Sequence, residues 1–286
     1  MANQAFPVSK TNRRSFFACI ADYDIFIEVD GNGPHMIMTH GLGANTTVFG
    51  PLQEIFATDY TVVRIDWPGL GNSGLNKSGA MISMPSLVEV LEGVMDVLEI
   101  RGAILVGHSL GGVVSMMLAA KSPTRVHGLA VIGAGRTRAT QSDSKVFTLN
   151  LARQARRQGL QEMVDDLVTF NIPFSSPRLA RALLRSVTTS SKPEGYAQIC
   201  EALCDESHRD PDYSRIVCPA CVIGGQHDNV SPINITEDLV ELIAGSGKRP
   251  TCHILNTGHM MIIEDVEGTA AAIRKMLEGI DRTERE

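Results

Sequence analysis

Ser109, Asp228 and His259 are the residues whose types and order point to chemistry. A serine hydroxyl is a weak nucleophile at neutral pH and needs a neighbouring base. An imidazole, with an ordinary pKa of about 6.5, can take the hydroxyl proton and later return it to a leaving group. A carboxylate behind the imidazole fixes its tautomer and stabilises its cation. Ser109 lies in Gly107-His108-Ser109-Leu110-Gly111-Gly112, a G-x-S-x-G. The apolar run Ala103–Val106 precedes it, and Leu110 to Ala120, nearly all apolar or small, follows. That context predicts a strand, a sharp turn and a buried helix, with the serine raised above the sheet edge. Glycine at 107 and 111 removes the Cβ atoms that such a turn would crowd. The alternative for Ser109 is an ordinary helix cap.

The remaining loops are read the same way. His35–Thr39 is an apolar strand that ends in His40-Gly41-Leu42-Gly43. Acyl transfer needs two N–H donors for a developing oxyanion. The expected donors are the N–H of Leu110, next after the serine, and that of Leu42. His40 reads as structural, packed under its loop. Strand Ala220–Ile223 runs into Gly224-Gly225-Gln226-His227-Asp228-Asn229, which places Asp228 at the same sheet edge as Ser109. Strand Cys252–Leu255 leads into Asn256-Thr257-Gly258-His259-Met260. His227 and His253 compete with His259 as the base. His253 lies within a strand, and His227 precedes the acid and points elsewhere. Activity is expected to fall below roughly pH 6.5 as the base protonates.

These loops need a scaffold that brings them to one edge. Short apolar runs alternate with helical patterns, which predicts an α/β fold with a mostly parallel central sheet flanked by helices. Phe16–Ile20, Ile25–Val29, Tyr60–Ile65 and Leu129–Ile132 supply further strands. Leu87, Val90, Leu91, Val94, Met95 and Leu98 form one apolar helix face, started by Ser83 and Pro85. Thr236–Ala244 and Thr269–Leu277 read as outer helices. From Arg136 to Asp212 the alternation breaks. Four helical patterns, Ser144–Arg157, Leu160–Phe170, Arg178–Val187 and Glu194–Cys204, follow without a strand. Residues 136–212 are therefore expected to form a helical cap on a core of 1–135 and 213–286. A separate helical domain is the alternative; the return of strands afterwards favours insertion.

Composition narrows the class. A net charge of −6 without a long run of one sign argues against nucleic acid and against an anionic membrane surface as partners. No apolar stretch reaches the roughly 18 residues of a membrane span. Met1 to Arg14 lacks the apolar core of a signal peptide, so a cytoplasmic protein is expected. Cys218 and Cys221 form a C-x-x-C, but they sit at a strand entrance without a second pair or zinc-spaced histidines. They are expected to be buried free thiols. The charged tail Asp281–Glu286 is expected to fray.

Asp66-Trp67-Pro68-Gly69-Leu70-Gly71-Asn72-Ser73 resembles the D-x-P-G-x-G-x-S loop of α/β-hydrolases. With His40-Gly41, Gly107–Gly111, Asp228 and Gly258-His259 in the usual order, the chain from about Phe16 to Leu277 resembles that superfamily. Arg153 to Leu160 and Pro193-Glu194-Gly195-Tyr196 are similar to the 3-oxoadipate enol-lactonase branch, whose members open a small carboxylated lactone. The resemblance implies an α/β-hydrolase fold, no metal, no cofactor, and a small-molecule ester or lactone as substrate. Ser109 stands where haloalkane dehalogenases and epoxide hydrolases carry aspartate, which speaks against those chemistries. A carboxylated substrate calls for a cation in the pocket; Arg136 and Arg138 follow a strand and open the cap, so either could reach the cleft, with a solvated surface pair as the alternative. Trp67 and Met260 are further candidates for substrate contact, with core packing as their alternative. Arg178, Arg181 and Arg185 read as a solvated helix face. The leading function is hydrolysis of a carboxylic ester or lactone through an acyl-enzyme on Ser109. A carbon–carbon bond hydrolase with the same three residues, or a non-hydrolytic ligand receptor on this fold, are the alternatives.

Overall fold

A computed structural model describes residues 13–139 and 142–280. The expected frayed tail lies outside these residues. The chain opens with strands β1 (Arg14–Ile20), β2 (Tyr23–Asp30) and β3 (His35–Thr39), then helix α1 (Gly50–Phe56) and strand β4 (Thr61–Ile65). Next come α2 (Met84–Val97), β5 (Ala103–His108), α3 (Leu110–Lys121) and β6 (Val126–Ile132). Four helices follow: α4 (Ser142–Gln158), α5 (Val164–Asn171), α6 (Arg178–Ser190) and α7 (Pro193–Cys204). The chain then returns to the sheet with β7 (Ala220–Gly225), α8 (Ile233–Ala244), β8 (Thr251–Leu255), α9 (Met261–Glu264) and α10 (Val266–Leu277).

The eight strands form one sheet in the order β1-β2-β4-β3-β5-β6-β7-β8. β1, β2 and β4 pair antiparallel, and every pair from β4 to β8 is parallel. Side chains alternate between two cores, as the two-residue period of a strand requires. Ile37, Val63, Leu105 and Val131 face the α2, α3 and α8 layer. Met38, Val62, Val106 and Ile132 face the α1, α9 and α10 layer. From β3 the chain steps outward to β4, then returns past β3 to β5. The direction of winding therefore reverses between β3 and β5. In open α/β sheets, ligands bind beyond the strand C-termini at such a point. The ends of β3 and β5 carry the His40–Leu42 loop and Ser109.

The helices between β6 and β7 cross this edge. α4 and α7 pack on each other. Ala152 and Ala155 of α4 and Ile199 of α7 join the first core. Val168 of α5 and Leu184 of α6 join the second. The helices between β6 and β7 are thus fastened to both sides of the sheet. The pattern Leu160–Phe170 overestimates α5. Gly159 adopts φ of 78° and ends α4, and Met163 N–H closes a turn on Leu160 carbonyl, so the helix starts only at Val164. Cys218 and Cys221 are buried free thiols, as expected. Among the described residues no helix is long and apolar enough to cross a membrane.

Candidate active site

β5 is longer than its apolar run and carries the chain to the serine itself. Ser109 has φ of 52° and ψ of −115°, a backbone that side chains with a Cβ rarely adopt. It persists because its surroundings leave no other path. Ser109 N–H is held by Ile132 carbonyl at 2.8 Å, and its own carbonyl accepts from Val113 at 3.1 Å. A Cβ at Gly107 would strike Gly111 carbonyl, and one at Gly111 would strike Thr39 carbonyl. The turn therefore nests against both its own helix and β3.

Three side chains from three strand ends meet here. Ser109 Oγ lies 3.0 Å from His259 Nε2, and His259 Nδ1 lies 2.8 Å from Asp228 Oδ2. Asp228 Oδ1 accepts the N–H groups of Val230 and Ser231 at 2.7 and 2.9 Å. Burial would raise the Asp228 carboxyl, but the His259 imidazole and those two N–H groups outweigh it and hold the group below the ordinary carboxylate range. An ionised carboxylate only accepts hydrogen bonds, so Nδ1 carries the imidazole proton and Nε2 offers its lone pair to the serine hydroxyl.

The β3 loop closes on the serine from the other side. A Cβ on Gly41 would lie 2.9 Å from Ser109 Cβ, so only glycine permits this approach. Leu42 and Leu110 both line the cavity beside Ser109. Among the described residues no acceptor takes either backbone N–H. Leu110 opens α3, whose N-terminal dipole favours negative charge at this point.

The cavity above has a volume of about 780 Å³. Its floor is the Ser109 turn, and its walls come from α4, α5 and α7. Phe147 and Phe170 lie in its wall, ring centroids 5.4 Å apart. Met260 lines it, while Met261 is core. Arg136 reaches the cavity but is neutralised by Asp210, with contacts of 2.8 and 2.6 Å. Arg138 also lines it and donates to Thr148 Oγ1 at 2.6 Å. No carboxylate among the described residues pairs with it. Burial pushes its pKa down, the sign of a guanidinium short of solvent.

Trp67 does not contact this cavity. Its ring is wholly buried, and its indole N–H donates to His40 carbonyl at 2.8 Å. The backbone N–H of Trp67 also explains His40. Its Nδ1–H donates to Gly41 carbonyl at 2.8 Å and its Nε2 accepts Trp67 N–H at 3.1 Å, so a neutral ring braces the β3 loop from beneath. Arg181 also departs from expectation. Arg178 and Arg185 are exposed, but Arg181 is half-buried, donates to Ile172 carbonyl at 2.7 Å and covers the Phe174 ring. His227 bonds Asn256, and half-buried His253 bonds Thr251; neither reaches Ser109.

The sequence alone points to no role for His108. Its Nε2–H donates to His259 carbonyl at 2.8 Å, and the two rings lie 4.9 Å apart. Burial, then the nearby His259, push its pKa down to about 3. Below the ordinary value near 6.5 the unfolded chain takes up a proton here that the folded chain refuses. Stability must therefore fall with pH across the window from about 6.5 to 3. Burial pushes His40 and His208 in the same direction. Between pH 7.5 and 5.5 His108 alone should remove about 1 kcal/mol. Urea midpoints at the two pH values check this; equal midpoints would mean that folded His108 binds a proton.

A sequence profile described as the alpha/beta hydrolase fold matches residues 34–199. The chain belongs to the α/β-hydrolase family, a family of hydrolytic enzymes. It is 27% identical over 265 residues to a pyrrolizixenacetamide deacetylase of Xenorhabdus hominickii, covering 90% of this chain and 96% of that one. It is 27% identical over 248 residues to 3-oxoadipate enol-lactonase 2 of Acinetobacter baylyi, covering 85% and 88%. The crystal structure of an enol-lactonase from Burkholderia xenovorans superposes with a TM-score of 0.80 at 23% identity, over 92% of this chain and all of that one. The resemblance to the enol-lactonase branch agrees with these relatives, and the structural likeness shows a shared fold.

Proposed function

We propose that this protein hydrolyses a small-molecule carboxylic ester or lactone through an acyl-enzyme on Ser109. The observation that carries this reading is the line from Ser109 Oγ through His259 to Asp228, at 3.0 and 2.8 Å. Ser109 Oγ attacks the carbonyl carbon while His259 Nε2 takes its proton. Asp228 stabilises the imidazolium. The carbonyl oxygen becomes an oxyanion held by the N–H groups of Leu42 and Leu110. Collapse breaks the carbon–oxygen bond, and Nε2 gives its proton to the leaving alkoxide. In a lactone that alcohol stays tethered to the acyl chain. A water then attacks the acyl-enzyme by the same steps and restores the serine. The insert, residues 136–212, serves as a cap that limits what enters. The names of the relatives, a deacetylase and enol-lactonases, suit the reading. A burst with p-nitrophenyl acetate, and an acyl group on Ser109 in the mass spectrum of quenched enzyme, test it. Turnover without any adduct on Ser109 would sink it.

Arg138 supports a substrate with an anionic group, because it lines the cavity with no carboxylate paired to it among the described contacts, and a guanidinium so placed is a ready acceptor of one. Arg136 is less suited, since Asp210 already occupies it. With a matched pair of esters, one neutral and one carrying a carboxylate, Arg138→Met should raise KM for the anionic ester about 10- to 100-fold and leave the neutral one within about twofold. Equal effects on both esters would remove Arg138 from recognition.

A further inference from the structure

Three successive backbone N–H groups carry the candidate base, and all three are tied down. Gly258 donates to Glu264 Oε2 at 3.0 Å and Met260 to Glu264 Oε1 at 2.9 Å. Between them, His259 N–H donates to Asn171 carbonyl at 2.8 Å. One carboxylate thus grips both neighbours of His259, and a carbonyl of the insert holds His259 itself. Glu264 Oε2 also accepts the hydroxyl of Ser176 at 2.5 Å. Asn171 ends α5, and Ser176 lies between α5 and α6. The contact is close: a Cβ on Gly258 would press on Asn171 carbonyl and lie 2.5 Å from Pro173 Cδ. The acid loop is tied to the same segment, since Asn229 Nδ2 donates to Phe170 carbonyl at 3.1 Å.

We propose that Glu264 is a positioning residue for His259, and that through Ser176 it couples the seating of segment 170–176 to the alignment of the base. This inference rests on the acyl-transfer reading above. The chemistry of the side chain suits the task. A carboxylate is acceptor-only, with room on two oxygens for three donors. A glutamine would keep one oxygen and set its NH₂ against a backbone N–H, so one side of the loop would be released. An aspartate would keep both acceptors on a shorter stem. With the loop released, His259 drifts from both Ser109 and Asp228. A misplacement near 1 Å in such a relay can cost about 100-fold in rate.

The experiment compares wild type with Glu264→Gln, Glu264→Asp, Ser176→Ala and Ser109→Ala. The readouts are hydrolysis of p-nitrophenyl acetate across pH and the rate of labelling by a fluorophosphonate. Glu264→Gln should lower kcat and labelling rate together by about 10- to 100-fold, with KM changed less than about threefold. Its acid limb in kcat/KM should move to lower pH, because the imidazolium loses part of its contact with Asp228. Glu264→Asp should recover most of the rate and of the pH profile. Ser176→Ala should lower kcat about 2- to 10-fold with the limb displaced the same way. Wild-type kcat and labelling in Glu264→Gln, with only a lower melting temperature, overturn the positioning role. Unchanged kinetics in Ser176→Ala overturn the coupling to the insert. If Glu264→Gln does not fold, Ser176→Ala decides the first point as well: a lowered kcat with the acid limb displaced supports it, and unchanged kinetics overturn it. A fully active Ser109→Ala would instead mean that the acyl-transfer reading has failed, whatever the Glu264 variants do.

Discussion

Ser109→Gly is expected to abolish turnover while making the fold more stable. The two effects have separate causes at one residue. On the acyl-transfer reading proposed above, turnover goes with the hydroxyl: without Oγ no acyl-enzyme can form, and losses of about 10⁴- to 10⁶-fold are expected for a serine of this role. Stability rises because Ser109 holds φ of 52° with a Cβ attached. Such a backbone costs on the order of 1–3 kcal/mol, which glycine removes. Glycine also gives the unfolded chain more freedom, which takes back about 0.4–1 kcal/mol. A net gain near 1 kcal/mol remains. Ser109→Ala keeps the Cβ and the strain. It should lose the same activity with stability within about 0.5 kcal/mol of the parent. Hydrolysis of a chromogenic ester and urea unfolding of all three proteins check this. A glycine variant that still turns over would remove Oγ from the reaction. An inactive variant that is also less stable would mean that the turn is not strained.

What could be read in advance, and what could not, divides along sequence distance. Strands β5, β7 and β8 announce themselves by apolar runs, and each ends in a short glycine-bearing loop. The side chains in those loops are placed by parallel pairing alone, so Ser109, Asp228 and His259 are legible before any contact is known. The place of Leu42 beside the cavity, at the end of β3, is legible for the same reason. Side chains whose surroundings come from afar are not. Trp67 stands in a loop where the sequence leaves both a ligand contact and core packing open, and His40 carbonyl, 27 residues earlier, draws its indole into the core. Arg136 and Arg138 look equivalent in sequence. Asp210, 74 residues on, takes Arg136 and leaves Arg138 facing the cavity. Glu264 has no motif of its own, since its role depends on Ser176, 88 residues away. Arg181 carries the helical period of Arg178 and Arg185, and only the fold of the α5–α6 turn brings Ile172 carbonyl beneath it.

Asp228→Asn should cost about 10⁴-fold in kcat without disturbing the fold, and the geometry says why. Oδ1 is committed to the N–H groups of Val230 and Ser231, at 2.7 and 2.9 Å. An asparagine must keep its oxygen there, because its NH₂ would oppose two donors. The NH₂ is then forced to face His259 Nδ1, 2.8 Å from the present carboxylate oxygen. Nδ1 must become the acceptor, and the ring proton moves to Nε2. That proton now points at Ser109 Oγ, so the base presents a donor where a lone pair is needed. The expected loss follows the behaviour of the same replacement in serine proteases, about 10⁴-fold. Both loop contacts survive, and the melting temperature should change little. Two further readouts separate a wrong tautomer from a lost charge. Hydroxide can take over from the crippled base, so residual activity should keep rising above pH 9. Asp228→Ala, which imposes no tautomer, should be less impaired at neutral pH than Asp228→Asn if its loop still holds. An asparagine variant with near-parental kcat would require His259 to take its orientation from another group. The carbonyl of His259 is held by His108 and its N–H by Asn171, but neither touches the imidazole nitrogens. Among the described contacts, Asp228 alone sets which of those nitrogens carries the proton.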